Sequence, residues 1–351
     1  MNLETTIKMI KPLNAEAMTA CKNQWNQIAK PIGSLGKLEE IFMQIAGIMG
    51  TEQVQLHKKA LIVMCADNGV VAEGVTQTDS SVTRIVADNF ASGATTACIM
   101  AKRAGVDLFP IDIGVQTETK IANRKIALGT KNMALEPAMT RTEAIQAIEV
   151  GIQAAKDCKD QGYTILATGE MGIGNTSTSS AMASVLLGTT VESVTGKGAG
   201  LTFAGFKHKI EIIEKAIAVN HPDAKDPLDV LSKVGGLDIA GLVGVFLGGA
   251  ALGMPVIIDG FISAVAAFTA SKLSSLIRSY AIPSHMSLEP AMQKLMEQMY
   301  MSPCLDCNMK LGEGTGAIAL MPLLDMAYDV YTQMSTFEDI KIEPYQPMGC
   351  H

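Results

Sequence analysis

Short, continuous apolar runs alternate with stretches of helical periodicity along most of this chain. Residues 60–67 (ALIVMCAD), 106–114 (VDLFPIDIG), 163–170 (YTILATGE) and 255–260 (PVIIDG) each read as a strand. They lack polar alternation, as expected of parallel strands covered on both faces. Helical signals lie between them. Thr140-Arg-Thr-Glu143 has the capping-box pattern, and Ile145, Ile148 and Ile152 then form one apolar stripe. The first 50 or so residues read as helices interrupted by Lys30-Pro-Ile-Gly-Ser-Leu-Gly36. This alternation predicts an α/β fold: a doubly wound, mainly parallel sheet with a smaller helical part formed by the N- and C-terminal segments. No linker of Pro/Ser/Gly composition divides the chain. The expected organisation is one unit, with a large α/β part over about 55–285 and a small helical part from about 1–54 and 286–351.

Ligands of such sheets sit beyond the carboxyl ends of the strands. Asp67, Asp112, Glu170 and Asp259 stand at those ends. Any one of them could be a turn former or helix cap; four beside glycine-rich turns point to a site.

Composition narrows the class. Of 351 residues, 48% are hydrophobic and 18% charged, enough apolar material for a sizeable core. The net charge is −7, without a Lys/Arg cluster, and 5% of residues are aromatic, so nucleic acid is not the expected ligand. Residues 239–258 carry no charge and are long enough to span a bilayer. Asp238 and Asp259 flank that stretch, and Gly253 and Pro255 break it, so it reads as a buried helix followed by a strand. A soluble, cytoplasmic protein is expected, and the seven scattered cysteines suit a reducing compartment. Cys304-Leu-Asp-Cys307 is a lone CxxC without a second pair, and Cys350-His351 reads as a chain end.

Three segments carry candidate chemistry. Gly169-Glu-Met-Gly-Ile-Gly-Asn-Thr-Ser177 follows a strand and opens a helix. Its glycines admit a close ligand, and a helix start favours an anion, although a purely structural turn fits the pattern too. It is neither a Walker A loop nor GxGxxG. Thr195 to Gly200, with Lys207-His-Lys209, supplies cations for such an anion, or else is a loop beside a solvated helix face. Leu311-Gly-Glu-Gly-Thr-Gly-Ala317 presents Glu313 from a tight turn. Burial would raise its pKa towards that of a general base, whereas a capping role would lower it. His285 lacks a matched Ser or Cys partner, so no triad is assigned.

These segments together resemble one family. KPIGSLG (30–36), ADNGVVAEGV (66–75), EPAMTRTEA (136–144), GEMGIGNTS (169–177), GLTFAGFKHKIE (200–211), VGGLDIAGL (234–242), DGFISAVAA (259–267), SHMSLEP (284–290) and LGEGTGA (311–317) occur in its order. The family is the nicotinate-nucleotide:dimethylbenzimidazole phosphoribosyltransferases, which activate the lower ligand of cobamides. The resemblance implies transfer of ribose 5-phosphate from nicotinate mononucleotide to an aromatic base, with release of nicotinate and inversion from β to α. No metal, cofactor or covalent nucleophile is implied. By motif, Glu313 would be the general base and Glu170 a second carboxylate near the ribose. Gly172, Ile173, Gly174, Asn175 and Thr176 would hold the donor, Lys209 and Ser287 its phosphate side, and Leu311 and Gly312 would complete the substrate-binding set. The region from Thr76 to Arg84 is expected to line the acceptor pocket. The family also implies a homodimer, with a heterodimer formed with a paralogue as the alternative. The chain departs from the common pattern at Asn68 (often His), at Met286 and Ala291 (often Arg then Gly) and across GVTQTDSSVT (74–83). Those departures leave two acceptors open: a benzimidazole, or the phenol and p-cresol used by relatives that act as paralogue heterodimers. A non-catalytic, nucleotide-binding paralogue is a further alternative, disfavoured by the retained Glu170 and Glu313.

Overall fold

The computed structural model describes residues 1–198 and 200–345; Ala199 and the Cys350-His351 end lie outside the described residues. Six strands form one sheet: β1 (Lys59–Ala66), β2 (Val106–Gly114), β3 (Ala122–Asn123), β4 (Ile165–Met171), β5 (Val256–Ile258) and β6 (Ala281–Pro283). Their order is β3-β2-β1-β4-β5-β6, and each pairing is parallel. β1 is buried along its whole length, which explains its unbroken apolar run.

The expectation of a doubly wound, mainly parallel sheet with a smaller helical part at the chain ends is overturned. Helices take 53% of the residues and strands 10%, so the fold is a predominantly helical α/β one with a single small parallel sheet. Helices fill the middle of the chain as well as its ends, among them Arg141–Asp160, Asn175–Leu187, Phe203–Asn220, Leu237–Ala251 and Phe261–Leu273. The misreading has a physical cause: the apolar runs do form strands, but parallel strands need long crossover connections, and here those are helices of up to 20 residues. Helix Leu237–Ala251 is buried on nearly all sides.

Small residues let these helices approach one another. A Cβ on Gly151 would strike the Gly241 carbonyl, and one on Gly244 the Ile148 carbonyl. Helices Arg141–Asp160 and Leu237–Ala251 therefore meet backbone to backbone. The Thr140 capping box forms, with Thr140 Oγ1 accepting from the Glu143 N–H at 3.1 Å and Glu143 Oε2 accepting from the Thr140 N–H at 2.7 Å. Two apolar clusters cover the sheet, one containing Ile62, Met64 and Phe246, the other Leu61, Val63, Trp25 and Phe42. No helix among the described residues is long and apolar enough to cross a membrane.

The strand order reverses at β1, whose neighbours are β2 and β4. A crevice at the carboxyl ends is expected beside such a switch point, and the cavity described next lies there.

Candidate active site

A cavity of about 330 Å³ is lined by the ends of β4 and β5 and by the turns at 172–176, 197–198 and 310–313. Of the residues singled out from the sequence, Thr76, Glu170, Gly172, Ile173, Gly174, Asn175, Thr176, Lys209, Ser287, Leu311, Gly312 and Glu313 all line it. Arg84 does not: it lies on helix Ser81–Ser92 and pairs with Asp88 at 3.2 Å, while Val86 of the same helix reaches the cavity.

Glu170 ends β4 in a buried position. Asn175 Nδ2 donates to Glu170 Oε2 and also to Asp238 Oδ2, the latter at 3.0 Å. Two buried carboxylates thus share one amide, with no salt bridge to either among the described residues. Burial first, and the Asp238 charge second, push the Glu170 pKa up to about 8. Burial raises Asp238 to about 6. Burial thus favours the neutral form of both carboxyls, of Glu170 more strongly than of Asp238.

The turn after β4 leads into helix Asn175–Leu187 through Gly174 at φ 93°, and no side chain caps that helix start. Lys209, wholly buried, points its ammonium at the same place, donating to Thr176 Oγ1 at 2.9 Å and the Gly196 carbonyl at 3.3 Å. Burial lowers its pKa to about 8, with Glu289 opposing the shift. It is still mainly protonated at pH 7. A buried ammonium beside an uncapped helix start makes a strongly anion-seeking corner. Ser287 and Lys310 line the cavity with it.

Glu313 sits on the opposite turn. Its own φ is +60°, between Gly312 at +86° and Gly314 at +84°. The left-handed region costs a non-glycine residue about 1–3 kcal/mol. Glycine is required beside it: a Cβ on Gly312 would strike Glu170 Oε1, and one on Gly314 would strike Leu61. Burial raises the Glu313 pKa; the Ala97 amide draws it down and the Asp259 charge lifts it further. Its Oε2 has no hydrogen-bond partner among the described residues. A carboxylate with one free oxygen and a raised pKa is equipped to take a proton.

Sequence reasoning left out several lining residues: Asp259, Gly260, Phe261, Ser263, His285 and Glu289. Asp259 and His285 stand out in the sequence, but without a role. The signal for Asp259 was the VIIDGFIS segment, which sets an acid and a glycine after a strand as LATGEMG does. The four strand-end acids divide into pairs. Asp67 accepts from the Gln116 N–H, and Asp112 from Val115 N–H and Thr119 Oγ1, so both build turns. Glu170 and Asp259 face the cavity. Cys304 and Cys307 are unpaired thiols. Among the described residues no cluster of His, Cys, Asp or Glu is arranged to hold a metal ion.

An anion-seeking corner and a carboxylate facing one cavity suit the transfer of a phosphorylated sugar, and the phosphoribosyltransferase family profile matches residues 10–342. This chain is a phosphoribosyltransferase. It is 48% identical to the nicotinate-nucleotide–dimethylbenzimidazole phosphoribosyltransferase of Clostridium acetobutylicum, over 99% of this chain and 100% of the relative. It is 49% identical to that of Ruminiclostridium cellulolyticum, with the same coverage. The crystal structure of CobT from Thermus thermophilus superposes with a TM-score of 0.89 at 36% identity, covering 93% of this chain and 99% of that one. The chain belongs to the nicotinate-nucleotide–dimethylbenzimidazole phosphoribosyltransferase family.

Proposed function

We propose that this protein transfers ribose 5-phosphate from nicotinate mononucleotide to a benzimidazole-type base, releasing nicotinate and giving the α-ribotide used in cobamide assembly. The observation that carries the reading is that Lys209, from helix Phe203–Asn220, and Glu313, from the 312–314 turn, line one cavity. The donor's phosphate takes the corner made by Lys209, Thr176 and the start of helix Asn175–Leu187, with Ser287 beside it. Gly172, Ile173, Gly174 and Asn175 hold the ribose, and Leu311 and Gly312 pack against the substrates. The acceptor lies along Thr76 and the apolar Val75 and Val86.

Nicotinate leaves from a pyridinium, so the leaving group needs no proton. The acceptor must lose one, and Glu313 Oε2 takes it. Positive charge grows on the sugar as the pyridinium departs, and carboxylates near the ribose stabilise it. Glu170 and its neighbour Asp238, joined through the Asn175 amide, supply that negative potential at the end of β4. The active form in this reading is a homodimer.

The test is acceptor competition. Nicotinate mononucleotide is offered with equimolar dimethylbenzimidazole, adenine, phenol and p-cresol, and the ribotides are resolved by mass spectrometry. Mainly benzimidazole product is expected. A phenolic ribotide would transfer the reading to a phenol-accepting enzyme and direct the search to a paralogous partner subunit. No nicotinate release with any acceptor would leave a nucleotide-binding protein.

A further inference from the structure

We propose that Asp259 is a positioning residue, whose buried carboxylate clasps the backbone of the 312–317 turn and so aims Glu313 into the cavity. The inference rests on the reading of Glu313 as the base. Asp259 stands just past β5, yet its carboxylate is spent on a segment 55 to 58 residues away. Oδ2 accepts from the Gly314 N–H at 3.1 Å, and Oδ1 accepts from the Gly316 and Ala317 N–H groups at 2.7 and 3.1 Å. These donors belong to the first turn of helix Thr315–Gln333, which receives no cap from its own N-cap residue. Asp259 serves as that cap from another part of the sheet.

A cap alone would not need the rest of the arrangement. Three successive residues, Gly312, Glu313 and Gly314, hold positive φ. Such a run persists only where its surroundings over-determine it, and Asp259 grips the chain on its C-terminal side. The clasp is itself anchored. The Asp259 N–H donates to Ser263 Oγ at 3.2 Å, Ser284 Oγ donates to the Asp259 carbonyl at 3.0 Å, and Ser263 Oγ meets Thr168 Oγ1 of β4 at 2.5 Å. His285 packs against the same turn, where a Cβ on Gly316 would collide with its ring. β4, β5 and the segment after β6 thereby share one rigid link to the turn that bears Glu313.

The test uses the full chain and the Asp259→Asn variant. Asparagine keeps the shape, but only one of its terminal atoms accepts, so at least one of the three N–H groups loses its partner. We expect kcat to fall by about 10- to 100-fold, the scale of a misplaced reacting group, with the KM for nicotinate mononucleotide little changed. The titratable groups facing Glu313 are Glu170 and Asp259 at the strand ends and Cys65 of β1, with His285 beyond Asp259. Removing the Asp259 charge lowers the Glu313 pKa, so the acid limb of kcat moves to lower pH. A purely structural cap would carry the same charge and move that limb too, so the kcat-against-KM split and a double variant with Glu313→Gln separate the two roles.

Adding Asp259→Asn to Glu313→Gln should cost no further turnover. Unchanged kcat in Asp259→Asn, an unmoved acid limb, or an additional loss in the double variant overturns the proposal. Should Asp259→Asn fail to fold, Ser284→Ala loosens the same clasp and is expected to lower kcat about fivefold, the worth of one neutral hydrogen bond. Unchanged kcat there overturns it as well. If Glu313→Gln alone keeps full turnover, the base reading fails first, and that outcome is distinct from a clasp that fails while Glu313 remains essential.

Discussion

Two helices of this protein begin at glycines in the left-handed region, Gly174 before Asn175–Leu187 and Gly314 before Thr315–Gln333, and neither draws a cap from its own N-cap residue. At the second, Asp259 occupies the positive end of the helix with three hydrogen bonds. At the first, the side chain brought to the helix start is a cation, Lys209, donating to Thr176 Oγ1. A helix N-terminus and an ammonium repel each other unless an anion lies between them. The closed start fixes a side chain of the protein; the open one is built for charge supplied by a ligand. Similar glycine-rich turns thus serve opposite purposes, and the difference is the sign of the charged group reaching in from elsewhere in the chain.

The sharpest way to break this comparison is to remove the group that the closed start presents. Glu313→Gln is expected to lower turnover by ~10²–10⁴ with donor affinity kept, the range for a lost general base. Steady-state kinetics with calorimetric donor binding checks both halves. A variant with weakened donor binding and intact kcat would reverse the roles given to the two helix starts.

At the open start, Lys209→Ala should raise the donor Kd by ~10–150-fold, since a charge-assisted hydrogen bond is worth about 1.5–3 kcal/mol. Acceptor affinity should stay nearly constant. Equal loss for both substrates in calorimetry would mean that Lys209 holds the turn together and does not hold the phosphate.

The glycine-rich turns were legible in the sequence because the need for glycine is local: a positive φ or a close approach is written at the residue that has it. Glu170, Glu313 and Lys209 were within reach for the same reason. Asp259 was visible as a strand-end acid, but its use depends on a turn more than 50 residues downstream, and no local pattern encodes that meeting. Asp238 read as a polar flank of an apolar stretch, whereas its carboxylate is the second acceptor of Asn175. The balance of helix and sheet was misread because the apolar runs are short strands, whereas the parallel crossovers between them are long helices that take far more of the chain. β3, of two residues, and β6, of three, are too short to carry a pattern. Arg84 fell away from the cavity on a matter of helical phase, two residues from Val86, which reaches it.

Backbone conformation supplies a smaller test. Gly314→Ala forces a side chain into φ 84° and against Leu61, and Gly174→Ala one into φ 93° and against Val71. Each should lose about 1–3 kcal/mol of stability, measured by denaturant unfolding. The comparison predicts a further difference: Gly314→Ala lowers kcat, because the clasped turn aims Glu313, while Gly174→Ala raises the donor KM.

The smallest expected effect distinguishes the two carboxylates nearest these helix starts. Asp259 receives three N–H groups, whereas Glu170 has the Asn175 amide and a pKa raised to about 8 from an ordinary 4.5. An acid with a raised folded-state pKa favours the folded state fully below its unfolded value, and that contribution drains away as pH rises to the folded value. Between pH 6.5 and 8 the unfolded chain has already released the proton and the folded chain still holds it. Stability should therefore fall by up to about 1.4 kcal/mol per pH unit on account of Glu170, on the order of 2 °C in Tm for a chain of this length. Asp238, raised to about 6, has largely ionised by the start of that window, and Lys209, lowered to about 8, changes stability mainly above it. Glu170→Gln removes the titrating proton, so its Tm should decline less steeply than that of the parent between pH 6.5 and 8. Parallel melting curves for the two proteins would show that Glu170 is ionised throughout, and the open helix start would then already face an anion of the protein's own.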